Sequence, residues 1–255
     1  MKFSPIIYLI GMLLCILSMF MIVPGLVDWF YGSKNWPAFV GSSMATLFVG
    51  SILFLTNKGS ATEHLELRQA FLLTNSAWIS IALFGSLPFL LSDINMSFID
   101  AFFESTSGIT TTGATVIENL ETKSHGILIW RALLQWLGGV GIIVMALAVL
   151  PMLSIGGMQL FKTESYETPD KVVPKAASFA AGISIVYITL TIIWAFMLWG
   201  AGMSIFDSIA HAMTTLATGG YSTKSESLAA FNSSTIEIII IFGMLVGSLP
   251  FVHYL

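Results

Sequence analysis

The stretch ESTSGITTTGAT, residues 104–115, interrupts an apolar chain with a run of threonines, serines and two glycines. A lone TTG would read as a surface turn. The surroundings ask for more. Hydrophobic residues make up 56% of the 255, charged residues only 9%, and mean hydropathy is +0.87. Soluble domains carry about a quarter charged residues, so the solvent of this chain is lipid. A non-helical polar backbone at membrane depth is tolerated only where it is buried in protein or lines a water-filled path.

Charge-free runs mark where the chain crosses. They lie between Lys2 and Asp28, Lys34 and Lys58, Arg68 and Asp93, Arg131 and Lys162, Lys175 and Asp207, and from Glu237 to Leu255. A crossing helix needs about 20 residues, and the last run is the shortest. The first is longer than a signal-peptide core and lacks a small-residue cleavage site, so it is expected to be a retained helix. Cys15, the only cysteine, excludes an intramolecular disulfide. A net charge of −4 with no basic block speaks against nucleic acid.

The stretch has a counterpart. SFIDAFFESTSGITTTGATV (97–116) aligns with SIFDSIAHAMTTLATGGYST (204–223) at an offset of 107 residues. That offset places Asp100 on Asp207, Ser107 on Thr214, Thr111 on Thr218, Gly113 on Gly220 and Thr115 on Ser222. In each copy a span precedes Asp, a short apolar element, a Thr/Gly loop, a polar connection and another span. Residues 97–109 are too few to cross as a helix, so this element is expected to enter the membrane and turn back. The organisation expected is a two-helix hairpin over 1–65 and two helix–pore-loop–helix repeats over 66–165 and 166–255. The fold class is all-α integral membrane, with six transmembrane helices and two re-entrant loops.

Two spans plus a re-entrant loop keep both repeats the same way up. Three full spans per repeat would invert the second, as in many secondary transporters of other small solutes, and that is the alternative reading. Lys2, Lys58, Arg68, Lys162, Lys171 and Lys175 fall on one face, with Lys34, Lys123, Arg131 and Lys224 on the other. The richer face is cytoplasmic by the positive-inside rule, which puts the N-terminus in the cytoplasm. Asp28, Asp93, Asp100, Glu104, Glu118, Glu121, Asp207, Glu226 and Glu237 then face outward, as an acidic mouth that concentrates cations.

A cation that sheds water needs oxygen ligands, and backbone carbonyls in a narrow loop supply them. Gly113 and Gly220 permit the unusual backbone angles this requires. Thr111, Thr112 and Thr218 add oxygens without charge, and the short helix directs its negative end at the ion. Glu104 and His211 occupy equivalent places in the two short elements and are expected to hydrogen-bond behind the loops. Arg131 either reaches the outer interface or pairs with a loop carboxylate. GGVG (138–141) lies within an apolar span with no preceding strand, and reads as close helix packing. His64, His125, His211 and His253 share no metal-ligand spacing. Ser105 or Ser107 with His211 would be a hydrolytic pair, but no nucleophile motif accompanies them. No covalent chemistry is expected.

ESTSGITTTGAT, followed by WRALLQWLGGVGIIVMALAVLP (130–151) and LATGGYST (216–223), resembles the Trk/Ktr/HKT potassium transporters, and among them the TrkH type, over essentially the whole chain. In that superfamily four helix–pore-loop–helix repeats surround one pore. The resemblance implies K⁺ uptake across a bacterial inner membrane. Thr111, Thr112, Gly113 and Ala114 would line the first quarter of the selectivity filter, and Thr218, Gly219, Gly220 and Tyr221 the second, mainly through backbone carbonyls. Gly113, where sodium-admitting members carry Ser, implies preference for K⁺. A homodimer is also implied, as is a cytosolic TrkA-type nucleotide-binding regulatory subunit meeting the 154–176 segment. Only two of four repeats are present, so the chain is expected to be the N-terminal portion of a longer protein.

Overall fold

A computed structural model describes residues 3–60, 67–153, 172–249 and 251–254. Among them every regular element is a helix. Residues 154–171, expected to face a cytosolic partner, lie outside the described residues, as do Lys2, Lys162 and Lys171.

Helices α1 (Ser4–Phe30) and α2 (Trp36–Thr56) form the N-terminal hairpin. Pro5 and Pro37 open them in the first turn, where an N–H is unpaired anyway. The two backbones touch. A Cβ on Gly11 would lie 2.9 Å from the Gly50 carbonyl oxygen, and one on Gly50 would lie 3.0 Å from the Cys15 nitrogen. Between apolar helices in lipid, this small-residue contact supplies the dispersion that hydrophobic burial cannot. Ser43 Oγ donates to the Ser18 carbonyl at 2.8 Å across the same seam.

The first repeat comprises α3 (Leu67–Gly85), a five-residue turn of helix α4 (Leu87–Leu91), α5 (Phe98–Ile109) and α6 (His125–Leu153). The second comprises α7 (Val172–Gly200), α8 (Ile205–Leu216) and α9 (Ser234–Ser248), followed by a 3₁₀ turn at Phe251–Tyr254. Among the described residues four stretches are long and apolar enough to cross a bilayer: Ser4–Phe30, Trp36–Thr56, Arg68–Leu91 and Ala181–Gly200. Their outward faces are bare hydrocarbon, with Phe30 80%, Phe48 67% and Phe196 62% exposed. Apolar surface on this scale suits lipid and not water. This is an all-helical membrane protein. Helix α9 has 15 residues, fewer than a straight crossing needs.

Helices α5 and α8 have 12 residues each, about 18 Å at the α-helical rise, against a hydrocarbon core of about 30 Å. Each starts with the same cap. Ser97 accepts from Asp100 N at 3.2 Å and its hydroxyl returns to Asp100 Oδ2 at 2.7 Å. Ser204 and Asp207 do the same at 3.0 and 2.7 Å. Each serine is an N-cap, and its hydroxyl is fixed in turn by the Asp three residues on. The Ser-x-x-Asp spacing was legible in both copies and would have fixed each helix start.

Helix α6 runs through the centre. Trp130, Arg131, Leu134 and Gln135 are buried, and Trp130 Nε1 donates to the Gly85 carbonyl at 3.0 Å. The GGVG run is a packing seam, as its setting suggested. A Cβ on Gly138 would collide with the Ile109 carbonyl at the end of α5, and one on Gly139 would sit 3.2 Å from Ala217 Cα just past α8. Both short helices thus end against the same turn of α6.

Two carboxylates leave the expected acidic mouth. Asp28 is fully buried, accepting from Gly126 N at 2.6 Å and Ser124 Oγ at 3.0 Å. It caps the start of α6, where unpaired N–H groups and the positive dipole end favour an anion. Glu104 is likewise fully buried. Neither can concentrate ions from solution.

Candidate functional site: two loops with unpaired carbonyls

The offset of 107 residues holds at the level of single hydrogen bonds. After α5, Thr110 N bonds Thr106 O at 2.9 Å, Thr111 N bonds Gly108 O at 3.0 Å, and Thr112 N bonds Ser107 O at 2.9 Å. After α8 the equivalents are Ala217 to Met213 at 3.1 Å, Thr218 to Thr215 at 3.0 Å, and Gly219 to Thr214 at 2.9 Å. Gly113 N and Gly220 N reach the same carbonyls as their predecessors, at 3.5 and 3.4 Å. The paired bonds from the first two loop residues are those of a Schellman C-cap.

This cap consumes the N–H groups of each loop and leaves its C=O groups over. No donor among the described residues reaches the carbonyls of Thr111, Thr112 and Gly113, or of Thr218, Gly219 and Gly220. Backbone dihedrals repeat as well. Thr111 and Thr218 have φ of +56° and +53°, and Gly113 and Gly220 have +82° and +80°. Alternating left-handed residues turn the chain sharply. Glycine accepts that conformation, but a β-branched threonine does so only under strain.

The threonine strain gives a direct expectation. Thr111→Gly removes a left-handed penalty of about 1–2 kcal/mol. The looser unfolded chain returns about 0.4–1 kcal/mol of that, so the variant should unfold at a higher temperature in detergent. A lower midpoint would show that the Thr111 side chain holds the loop in some further way.

The loops meet. A Cβ on Gly113 would collide with the Gly219 carbonyl oxygen, so nothing larger than glycine fits there. Gln135 of α6 stands behind both. Its Oε1 accepts from Tyr221 N at 3.0 Å, and its buried Nε2, without a partner among the described residues, lies 3.6 Å from the position of a Cβ on Gly113.

Glu104 and Arg131 form a buried pair, Nε to Oε1 at 2.7 Å. Of the two outcomes open for Arg131, pairing with the loop carboxylate holds. Glu104 also accepts from Thr115 Oγ1 at 2.9 Å and Val116 N at 3.0 Å, gripping the exit of the first loop. His211 does this in the second repeat. Its Nδ1 lies 2.8 Å from the Asp207 carbonyl, which can only accept, so Nδ1 donates; Nε2 lies 3.1 Å from Ser222 Oγ. Thr115 and Ser222 are equivalent at the same offset. His211 is therefore committed to Ser222. Ser107 Oγ is spent on the Ala114 carbonyl at 2.5 Å and Ser105 Oγ has no hydrogen-bond partner among the described residues, so neither of these serines pairs with His211.

The candidate filter residues divide by environment. Thr111, Thr112, Gly113, Thr218, Gly219 and Gly220 carry the free carbonyls. The Ala114 carbonyl accepts from Ser107 Oγ and, at 3.2 Å, from Tyr221 OH, and the Tyr221 ring is buried. These two anchor the loops from behind. Only the side chain of Tyr221 turns away: its own carbonyl, unlike that of Ala114, accepts from no donor among the described residues.

The repeats are also joined above the loops. Arg131 Nη1 donates to the Ser222 carbonyl at 2.9 Å, and its guanidinium lies 4.1 Å from the Tyr221 ring centroid. Leu120 N donates to Ser225 Oγ at 3.0 Å, while Ser225 N and Oγ both donate to Glu121 at 2.7 Å. The Ser225 side chain, then its backbone N–H, hold the Glu121 carboxyl down to about 2. A lowered pKa means this tie is complete above the ordinary carboxylate range and is lost only as pH falls toward 2. In Ser225→Ala, Glu121 should titrate nearer to 4.5 by carboxyl NMR; an unchanged titration would show that the hydroxyl does not matter.

The sequence model of the TrkH family, described as cation transport protein, matches residues 35–255. The chain is 41% identical over 250 residues to the Trk system potassium uptake protein TrkH of Escherichia coli strain K12, covering 97% of this chain and 52% of that protein. It is 38% identical over 256 residues to the Trk system potassium uptake protein TrkI of Halomonas elongata, covering 100% and 52%. The crystal structure of the potassium transporter TrkH from Vibrio parahaemolyticus superposes with a TM-score of 0.86 at 39% identity, over 96% of this chain and 50% of that one. The chain thus spans about half the length of the curated relatives it matches. Two repeated loops with spare carbonyls, the fold and the family match over most of the sequence agree: the chain belongs to the TrkH family of cation transport proteins.

Proposed function

We propose that this chain forms half of the ion path of a potassium uptake protein in a bacterial inner membrane. The observation that carries it is the pair of loops in which the N–H groups of residues 111–113 and 218–220 turn back to their helices while the carbonyls of the same residues remain free. Such carbonyls replace the hydration shell of a monovalent cation without adding charge. Glu104, the carboxylate that grips the first loop, is neutralised by Arg131. The C-terminal dipole ends of α5 and α8 add favourable potential.

In this reading the carbonyls of Thr111, Thr112, Gly113, Thr218, Gly219, Gly220 and Tyr221 ligate K⁺, while the Ala114 carbonyl and the Tyr221 side chain hold the loops. Residues 1–65 are the hairpin, and 66–165 and 166–255 are the two repeats, giving six spans, two re-entrant loops and a cytoplasmic N-terminus. The two loops are half of a four-loop ring, which residues outside this sequence complete. A cytosolic TrkA-type subunit and a second copy of the protein are the proposed partners. Both repeats rise in the same sense: Gly113 abuts Gly219 at one level, and Glu121 bonds Ser225 beyond it. Parallel repeats favour a pore over inverted repeats.

Uptake of K⁺ and Na⁺ by proteoliposomes containing the transport-competent protein tests the function. Saturable K⁺ uptake exceeding that of Na⁺ is expected, and absence of cation flux would overturn the reading. Single cysteines at Thr112 and Gly220, both exposed, should react with an impermeant reagent from one side only; reaction from opposite sides would favour inverted repeats.

A further inference from the structure

Tyr221 belongs to the second loop, yet its side chain works on the first. The ring is 4% exposed and turned away from the free carbonyls of its own loop. Its hydroxyl lies 2.9 Å from the Glu104 carbonyl and 3.2 Å from the Ala114 carbonyl, sharing one proton between them. Arg131 covers its face, and its backbone N–H is held by Gln135. Every polar group that positions this tyrosine therefore comes from the first repeat.

Ala114 is where the two grips converge. Ser107, within α5, donates to its carbonyl from the same repeat, and Tyr221 donates from the other. Gly113, one residue earlier, abuts Gly219, two residues before Tyr221. A shift of the Tyr221 hydroxyl therefore moves Ala114, and with it the gap between the two sets of free carbonyls. Discrimination between K⁺ and Na⁺ depends on the number and placement of such oxygens.

We propose that Tyr221 is a positioning residue for ion selectivity, its hydroxyl bolting the second loop to the Ala114 and Glu104 carbonyls so that the two sets of carbonyls keep the spacing that suits K⁺. This rests on the potassium-path reading above. Removing the hydroxyl leaves the ring packed under Arg131, so the fold should survive while the spacing relaxes.

The test is K⁺ and Na⁺ uptake measured in parallel on full-length, transport-competent protein in proteoliposomes. Tyr221→Phe, Ser107→Ala and Tyr187→Phe are compared with the native protein. Tyr187 is a buried tyrosine whose hydroxyl bonds the Trp136 carbonyl at 3.3 Å and no loop carbonyl. Tyr221→Phe should lower the K⁺-to-Na⁺ ratio by about five- to tenfold, the size of one neutral hydrogen bond. Ser107→Ala should shift it the same way, and Tyr187→Phe should leave it unchanged. Lower total uptake at an unaltered ratio in Tyr221→Phe would reduce the residue to a structural one and overturn the proposal. If that variant fails to fold, Ser107→Ala decides, an unaltered ratio again overturning it. A native protein with no preference for K⁺ would overturn the potassium reading itself, and this inference with it.

Discussion

Replacing Gly113 with serine should cost the protein most of its discrimination against Na⁺. Two effects act together. A serine at φ of +82° occupies backbone space that side chains avoid, at about 1–2 kcal/mol. Its Cβ would also collide with the Gly219 carbonyl oxygen, which is backbone and cannot rotate aside. Relief requires the two loops to separate, and the oxygen displaced is itself one of the proposed ligands. A loss of about 1.4 kcal/mol of discrimination corresponds to about a tenfold fall in relative K⁺ uptake, and the steric conflict is large enough to exceed that. Parallel K⁺ and Na⁺ uptake would read it. An unchanged ratio in a correctly folded Gly113→Ser protein would mean that the space between the loops does not set selectivity.

Arg131→Ala should be the most destabilising single change in the described core. Arg131 is 1% exposed and Glu104 fully buried, so the variant strands a carboxylate with its counter-charge removed. Breaking one side of a buried pair costs about 3–5 kcal/mol. The same side chain also supports the Ser222 carbonyl and covers Tyr221. Both loops should therefore loosen together. Arg131→Lys keeps the charge but lacks the planar fork that reaches Glu104 and Ser222 at once, so it should recover only part of the loss. Lys34→Ala, at an exposed lysine, serves as control and should lie within about 0.5 kcal/mol of the native protein. Unfolding in detergent checks all three. A loss below about 1 kcal/mol for Arg131→Ala would mean that the buried pair does not hold the two loops together.

How much of this was legible follows from where each signal lies along the chain. The lipid solvent, the hairpin and the short elements follow from local composition and length. The offset of 107 residues was visible because Asp100 and Asp207, Thr111 and Thr218, and Gly113 and Gly220 keep their order. That relation extends to the dihedral signs and to individual hydrogen bonds. Glycine at positions 113 and 220 announces a left-handed turn. Threonine at 111 and 218 argues against one, and local propensity there misleads because the C-cap overrides it.

What stayed hidden are contacts between repeats. Arg131 meets Ser222 across 91 residues and Tyr221 meets Ala114 across 107, and neither separation leaves a periodic trace. The sequence presents Tyr221 as one more residue of a Thr-Gly-Gly-Tyr loop. Only packing against α6 shows that its side chain faces backward. Asp28 and Glu104 looked like mouth carboxylates for the same reason. An acidic residue near a span end carries no mark of the helix start or the arginine that buries it.

The central claim is that the carbonyls of the two loops, freed by their own C-caps, face one shared K⁺ path. Anomalous diffraction from crystals of the full-length protein soaked in Tl⁺, a K⁺ surrogate, tests it most directly. A peak within coordination distance of the Thr112 or Gly113 carbonyls and of the Gly219 or Gly220 carbonyls is expected, and it should fade when K⁺ is added in excess. Loops empty of Tl⁺, with the ion bound at another place along the transport path, would contradict the account.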